Sequence, residues 1–145
     1  MLATAAALRT GLVTVNLGGG FHHAASNRGM GFCAFNDLGI AIARLRARGF
    51  EAPILVVDLD IHDGNGTRLL FEDDPTVHTF TIHNQDWSPR DAVAATVIAL
   101  GTAVNDATYL ETLREALPPV VQQVRPGLVL YMAGVDPASD DMIGD

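Results

Sequence analysis

Residues 56–67 read Val-Val-Asp-Leu-Asp-Ile-His-Asp-Gly-Asn-Gly-Thr, with Asp58, Asp60 and His62 on alternate positions. Two carboxylates and an imidazole at that spacing suit a divalent metal ion, which takes oxygen and nitrogen donors. In an extended segment alternate side chains point to one face, so Asp60 and His62 are expected to face the same way. The apolar run at 53–57 reads as a buried parallel strand, and Gly64 and Gly66 as a tight turn after it. Ligands of open α/β sheets bind just outside the carboxyl ends of the strands. The blander reading is that Asp58 and Asp60 only cap the turn. His62 and the glycines in register favour the metal.

Three more groups belong to the same chemistry. His22 and His23 follow Gly18-Gly19-Gly20, after a short run of leucines and β-branched residues. Asp136 follows a second apolar run at 126–132, where an unpaired carboxylate would be costly, so a ligand role is expected. Three protein ligands with an open position is the pattern of a catalytic zinc site, and Fe(II), Mn(II) or Co(II) also suit the donors. Such an ion lowers the pKa of a coordinated water toward ~7 and polarises a carbonyl. His22 or His23 could then take the water's proton, with Asp58 orienting one of them through a carboxylate–imidazole hydrogen bond.

These groups need a frame. Residues 2–9 read as the end of a helix and 12–17 as a strand. Residues 36–48 have helical apolar spacing, ending in Arg44, Arg46 and Arg48, which read as a solvated basic face before Gly49. Residues 67–71 read as a short helix and 77–83 as a strand. Residues 84–90 are loop, and 91–105 irregular with a short strand. A helix spans 106–124 despite Pro118-Pro119, and a last strand spans 126–132. Strands alternating with helices predict an α/β fold with a doubly wound, mainly parallel sheet, incomplete within these residues.

The bulk numbers agree with one domain over 1–145. With 48% hydrophobic residues the chain can bury a core. Its net charge of -8, from 17 acidic and 9 basic residues, argues against a nucleic-acid partner, whose footprint is basic. No membrane span or signal peptide is expected. One cysteine, Cys33, makes no internal disulfide, and a cytoplasmic setting is the simple expectation. Cys33 itself reads as a small buried residue. His78 reads as structural, His83 as a neighbour of the site, and Asp140 and Asp141 as solvated loop residues.

Four blocks together resemble the zinc-dependent histone deacetylase superfamily: Gly18-Gly19-Gly20-Phe21-His22-His23-Ala24, Gly31-Phe32-Cys33-Ala34-Phe35-Asn36-Asp37, 58–67, and Tyr131-Met132-Ala133-Gly134-Val135-Asp136. They occur in that family's order, and the first and last look most like its class IV and bacterial members. The resemblance implies an arginase–deacetylase type of fold and hydrolysis of an N-acyl amide, in acyl-lysine of a protein or in an acetylated polyamine. It implies that Asp60, His62 and Asp136 hold Zn2+, or Fe2+. It implies that His22 and His23 flank the water, with His23 the general base and His22 an electrostatic partner oriented by Asp58. Gly31 would accept a hydrogen bond from the substrate amide, Phe32 would wall the acyl-lysine channel, and Cys33 would sit at its acetyl end. A structural K+ is implied at Asp58 and at carbonyls of Phe71, Val77, Thr81 and Ile82.

The chain departs from the family pattern in three ways. The family's oxyanion tyrosine, in a later Gly-Gly-Tyr-like segment, has no counterpart in these 145 residues, and Tyr109 and Tyr131 are expected on a helix and a strand instead. The family's amino-terminal strand and loop, which form one rim of the pocket, have no counterpart either. Asp63 stands where a histidine or glutamine is usual, and Asn65 where many members have an aspartate beside the second histidine. A neutral amide raises the pKa of His23 less than a carboxylate would. The departures keep a second reading open, a catalytically impaired or non-catalytic domain that binds a metal or acyl ligand. A two-metal, ureohydrolase-like site would need more aspartates at the strand ends than the sequence offers.

Overall fold

The computed structural model describes every residue except Ile143 and Asp145. Among the described residues, four parallel strands form one sheet in the order β3-β2-β1-β4. They are β1 (Ile54–Asp58), β2 (Val77–His83), β3 (Ala95–Ala99) and β4 (Leu128–Met132). All five residues of β1 are buried, as expected for a central strand whose two faces are both covered. Among the described residues there are four helices: α1 (Leu2–Thr10) and α2 (Asp37–Arg46) precede β1, α3 (Asn65–Leu70) joins β1 to β2, and α4 (Asp106–Val124) joins β3 to β4.

Successive residues of β1 feed two different cores, because side chains alternate across a strand. On one face Ile54 and Val56 pack with Val77, Leu128 and, from α2, Ile42 and Leu45. On the other, Leu55 and Val57 pack with Phe80, Ile82 and, from α4, Val120, with Leu113 and Leu117 beside it. Helices on both faces of a parallel sheet make the doubly wound α/β fold expected from the sequence. Among the described residues no helix is long and apolar enough to cross a membrane.

The helix starts carry their own signals. Asn105 Oδ1 accepts the Thr108 N–H at 2.9 Å and opens α4. Asn36 Oδ1 accepts the Gly39 N–H at 2.8 Å and opens α2. Asn36 also reaches sideways: its Nδ2 donates to the Ala24 carbonyl at 3.1 Å and to Thr67 Oγ1 at 3.0 Å. One buried amide thus ties the segment after the paired histidines to α3.

Two expectations need correction. Residues 12–17 form no strand: the segment is irregular, and Val13, Val15 and Leu17 are exposed. β-branched composition favours extended chain, but a strand needs a ladder partner; β1 is already flanked by β2 and β4, and no described strand pairs with 12–17. Arg46 is not a merely solvated residue. Its Nη1 donates to the carbonyls of Phe50 (2.6 Å) and Ala52 (2.9 Å), and its Nη2 to Thr76 Oγ1 (2.8 Å). A guanidinium has five donors, and the turn between α2 and β1 offers it carbonyl acceptors. Arg44 and Arg48 remain exposed.

The Asn36→Ala variant removes a helix cap and leaves the buried Ala24 carbonyl without its side-chain donor. It is expected to lose about 2–3 kcal/mol of stability in urea denaturation.

Candidate metal centre

Parallel pairing sets Asp58 of β1 opposite Met132 of β4, so the segments leaving the two strands emerge side by side. β1 stops at Asp58, and residues 59–63 bend instead of running extended. Asp60 and His62 therefore converge by a turn and not by strand alternation. Asp58 Oδ1 accepts the Asp60 N–H at 3.2 Å, and Asp60 Oδ1 accepts the His62 N–H at 2.9 Å. Aspartates that accept the backbone N–H two residues on make turns of this kind. The blander capping reading of Asp58 and Asp60 thus holds as well, and the turns shape the centre.

Asp136 closes the group from β4. Its Oδ1 accepts the Ile61 N–H at 3.1 Å, and its Oδ2 lies 2.9 Å from His62 Nδ1. His62 Nδ1 is also 3.1 Å from Asp60 Oδ1. One donor atom from each of Asp60, His62 and Asp136 lies within 4.8 Å of the other two, and all three residues are half-buried. Desolvation pushes Asp136 above the ordinary carboxylate range, the Ile61 N–H opposes this, and the charge of Asp60 adds to it. Two carboxylates crowded around one imidazole nitrogen fit a divalent cation, which would relieve that repulsion.

The paired histidines sit behind this group with unlike partners. His22 Nδ1–H donates to Asp58 Oδ2 at 2.7 Å, with both side chains buried, and His22 Nε2 lies 3.6 Å from Asp60 Oδ1. Burial alone would lower the pKa of His22. The hydrogen bond and charge of Asp58, with the charges of Asp60 and Asp136, outweigh it and raise the pKa. His23 Nδ1 instead meets Asn65 Oδ1 at 3.0 Å. Burial lowers the pKa of His23, and the amide only partly offsets it. With Asn65 Oδ1 accepting, the proton sits on Nδ1 and the Nε2 lone pair is free. Asn65 Nδ2 has no partner among the described residues.

The other expected residues divide. Gly31, at φ +53°, packs so closely on the His23 ring that a Cβ there would collide with it. Gly64 likewise leaves room only for the Asp58 carboxylate. Phe32 follows Gly31 in the left-handed region (φ 61°) and is 99% exposed, an uncommon state for an aromatic residue. Cys33 is buried, and its Sγ donates to the Gly31 carbonyl at 3.3 Å. Burial pushes the Cys33 thiol up, which suits a packing residue. The four carbonyl candidates for K+ do not form one group: Thr81 pairs with Asp58 at the site end of the sheet, whereas Val77 pairs with Ile54 at the opposite end.

Sequence reasoning missed Trp87. It lies in the loop after β2, and its indole stacks on His23 with centroids 4.3 Å apart and planes at 9°. It also meets His62 edge-on at 5.4 Å. The available signal was a lone tryptophan following a strand that ends at the site edge. Asp63 faces away from the metal group and forms a two-pronged pair with Arg68 (2.6 and 2.8 Å). Against its own desolvation, Arg68 holds the Asp63 carboxyl below the ordinary range. A second set, Asp63, His83 and Asp86, also brings donor atoms together. Its atoms are committed outside the set, both Asp63 oxygens to Arg68, His83 Nδ1 to Thr81 and both Asp86 oxygens to Arg90.

The fold and strand-end site define an α/β protein with a candidate metal centre, and comparison with known proteins narrows the class. Residues 1–145 match the histone deacetylase domain. The chain is 41% identical over 145 residues to an uncharacterized protein of Picosynechococcus sp., covering 99% of this chain and 48% of that protein. It is 38% identical over 136 residues to Histone deacetylase 2 of Arabidopsis thaliana, covering 90% and 35% respectively. It is 34% identical over 134 residues to Acetoin utilization protein AcuC of Staphylococcus aureus strain COL, covering 83% and 34%. The chain belongs to the histone deacetylase family. It spans less than half the length of these relatives.

The two histidines are expected to titrate in opposite directions in the metal-free protein. His22 keeps its proton above the ordinary value of 6.5 and His23 loses its proton below it. Stability from the His22–Asp58 pair is then full below 6.5 and is lost as pH rises through the raised His22 value. Histidine-resolved NMR titration checks the order, and a reversed order would contradict the assigned partners.

Proposed function

We propose that this chain carries the metal-binding and acid–base residues of a zinc-dependent deacetylase that hydrolyses an N-acyl amide. The observation that supports this most is the convergence of donor atoms from Asp60, His62 and Asp136, beside a histidine whose Nδ1 is bonded to Asn65. Asp60, His62 and Asp136 would hold the ion, which when bound supplies a Lewis acid for the acyl oxygen and for water. His23 Nε2 would take the proton of the attacking water and pass it to the leaving amine, a role suited to a base with a lowered pKa. His22, kept positive more readily by Asp58, would oppose the negative charge that develops on the acyl oxygen.

The substrate is an acyl-lysine in a protein or an acetylated polyamine. Phe32, exposed beside Gly31, offers an apolar surface for the alkyl stem of either. The net charge of -8 favours a cationic substrate over nucleic acid. The buried, unpaired Cys33 suits a reducing cytoplasm.

Zinc titration and hydrolysis of an acetyl-lysine peptide test this reading. One zinc per chain is expected, with affinity lowered more than ~100-fold by Asp136→Ala. His23→Ala should keep the zinc and lower the rate by about 10²–10⁴. Zinc bound equally by Asp136→Ala would sink the ligand set. Zinc bound without hydrolysis of peptide or acetylpolyamine would favour a binding domain over an enzyme.

A further inference from the structure

Asp63 lies between His62 and Gly64, and its side chain and that of Arg68 are both 0% exposed. A buried ion pair contributes little net stability, because desolvation offsets the attraction between its charges. What this pair supplies is geometry. Asp63 Oδ2 also accepts the Trp87 N–H at 3.0 Å. Arg68 Nη2 donates to Ser88 Oγ at 2.9 Å, and Arg68 Nε to the Pro89 carbonyl at 3.4 Å. Three consecutive residues of the loop after β2 are therefore held by one ion pair rooted beside a metal-centre residue.

The loop delivers the Trp87 ring to the face of His23. His23 is already restrained by Asn65 at Nδ1, by Gly31 at its ring edge and by the tilted ring of His22 at 4.1 Å. Trp87 adds a flat contact at 4.3 Å. We propose that Asp63 and Arg68 are positioning residues: their ion pair pins the Trp87 backbone so that the indole locks the His23 imidazole in its working orientation. That this orientation is the working one rests on the deacetylase reading. The anchoring is a property of this chain's own residues.

Trp87 is the chain's single tryptophan, so its emission reports this site alone. The test variant is Asp63→Leu with Arg68→Met, which removes both charges together, leaves neither buried unpaired and takes away the acceptor of the Trp87 N–H. With the far-UV circular dichroism of the parent retained, Trp87 emission should shift to longer wavelength and acrylamide quenching should rise. In the parent, His23→Ala should alter Trp87 emission, and in the double-variant background that change should be lost. Parent-like emission and quenching, with the His23→Ala change intact, would overturn the proposal.

Amide exchange in the unaltered chain tests the same anchor where the variant does not fold. The Trp87 amide should exchange on the order of tenfold more slowly than those of Asp86 and Ser88. Equal exchange would overturn the anchor. Failure of peptide hydrolysis while the Trp87 readouts hold would count against the deacetylase reading and leave the anchor standing.

Discussion

Two carboxylates, Asp60 and Asp136, are held around one imidazole nitrogen in a half-buried site, and the rest of the structure serves that unfavourable grouping. Like charges that close, partly removed from water, repel more strongly than they would at the surface. The fold brings them together anyway, because parallel pairing of β1 with β4 sets the two strand ends in register. The N–H groups of Ile61 and His62 then hold one oxygen of each carboxylate. A divalent cation would balance the remaining charge, and the donor set suits one.

The same logic separates the two histidines. They are adjacent in sequence and tilted against each other, yet one bonds to a carboxylate and the other to an amide. In a buried setting that difference sets the direction of each pKa. His22 gains protons more readily, and His23 loses them more readily. Under the proposed function, an electrostatic partner and a base would arise from one residue type by choice of neighbour, Asp58 for one and Asn65 for the other.

Much of this was legible in the sequence. The runs that became β1 and β4 are apolar, and α4 occupies the expected residues 106–124. The candidate donors Asp60, His62 and Asp136 follow such strands, and type and place were enough to propose them; their convergence is what the structure adds. What stayed hidden depended on partners distant in sequence. Residues 12–17 have strand composition but no ladder partner among the described residues. Arg46 looked solvated until the turn carbonyls closed around it. Trp87 reaches Asp63 across 24 residues, through a loop whose course no periodicity reveals.

The most direct measurement is diffraction from crystals of the zinc-loaded protein, with anomalous scattering recorded at the zinc edge. The account predicts one peak about 2.0–2.2 Å from an oxygen of Asp60, an oxygen of Asp136 and Nδ1 of His62. A peak among Asp63, His83 and Asp86, or none near Asp136, would contradict it.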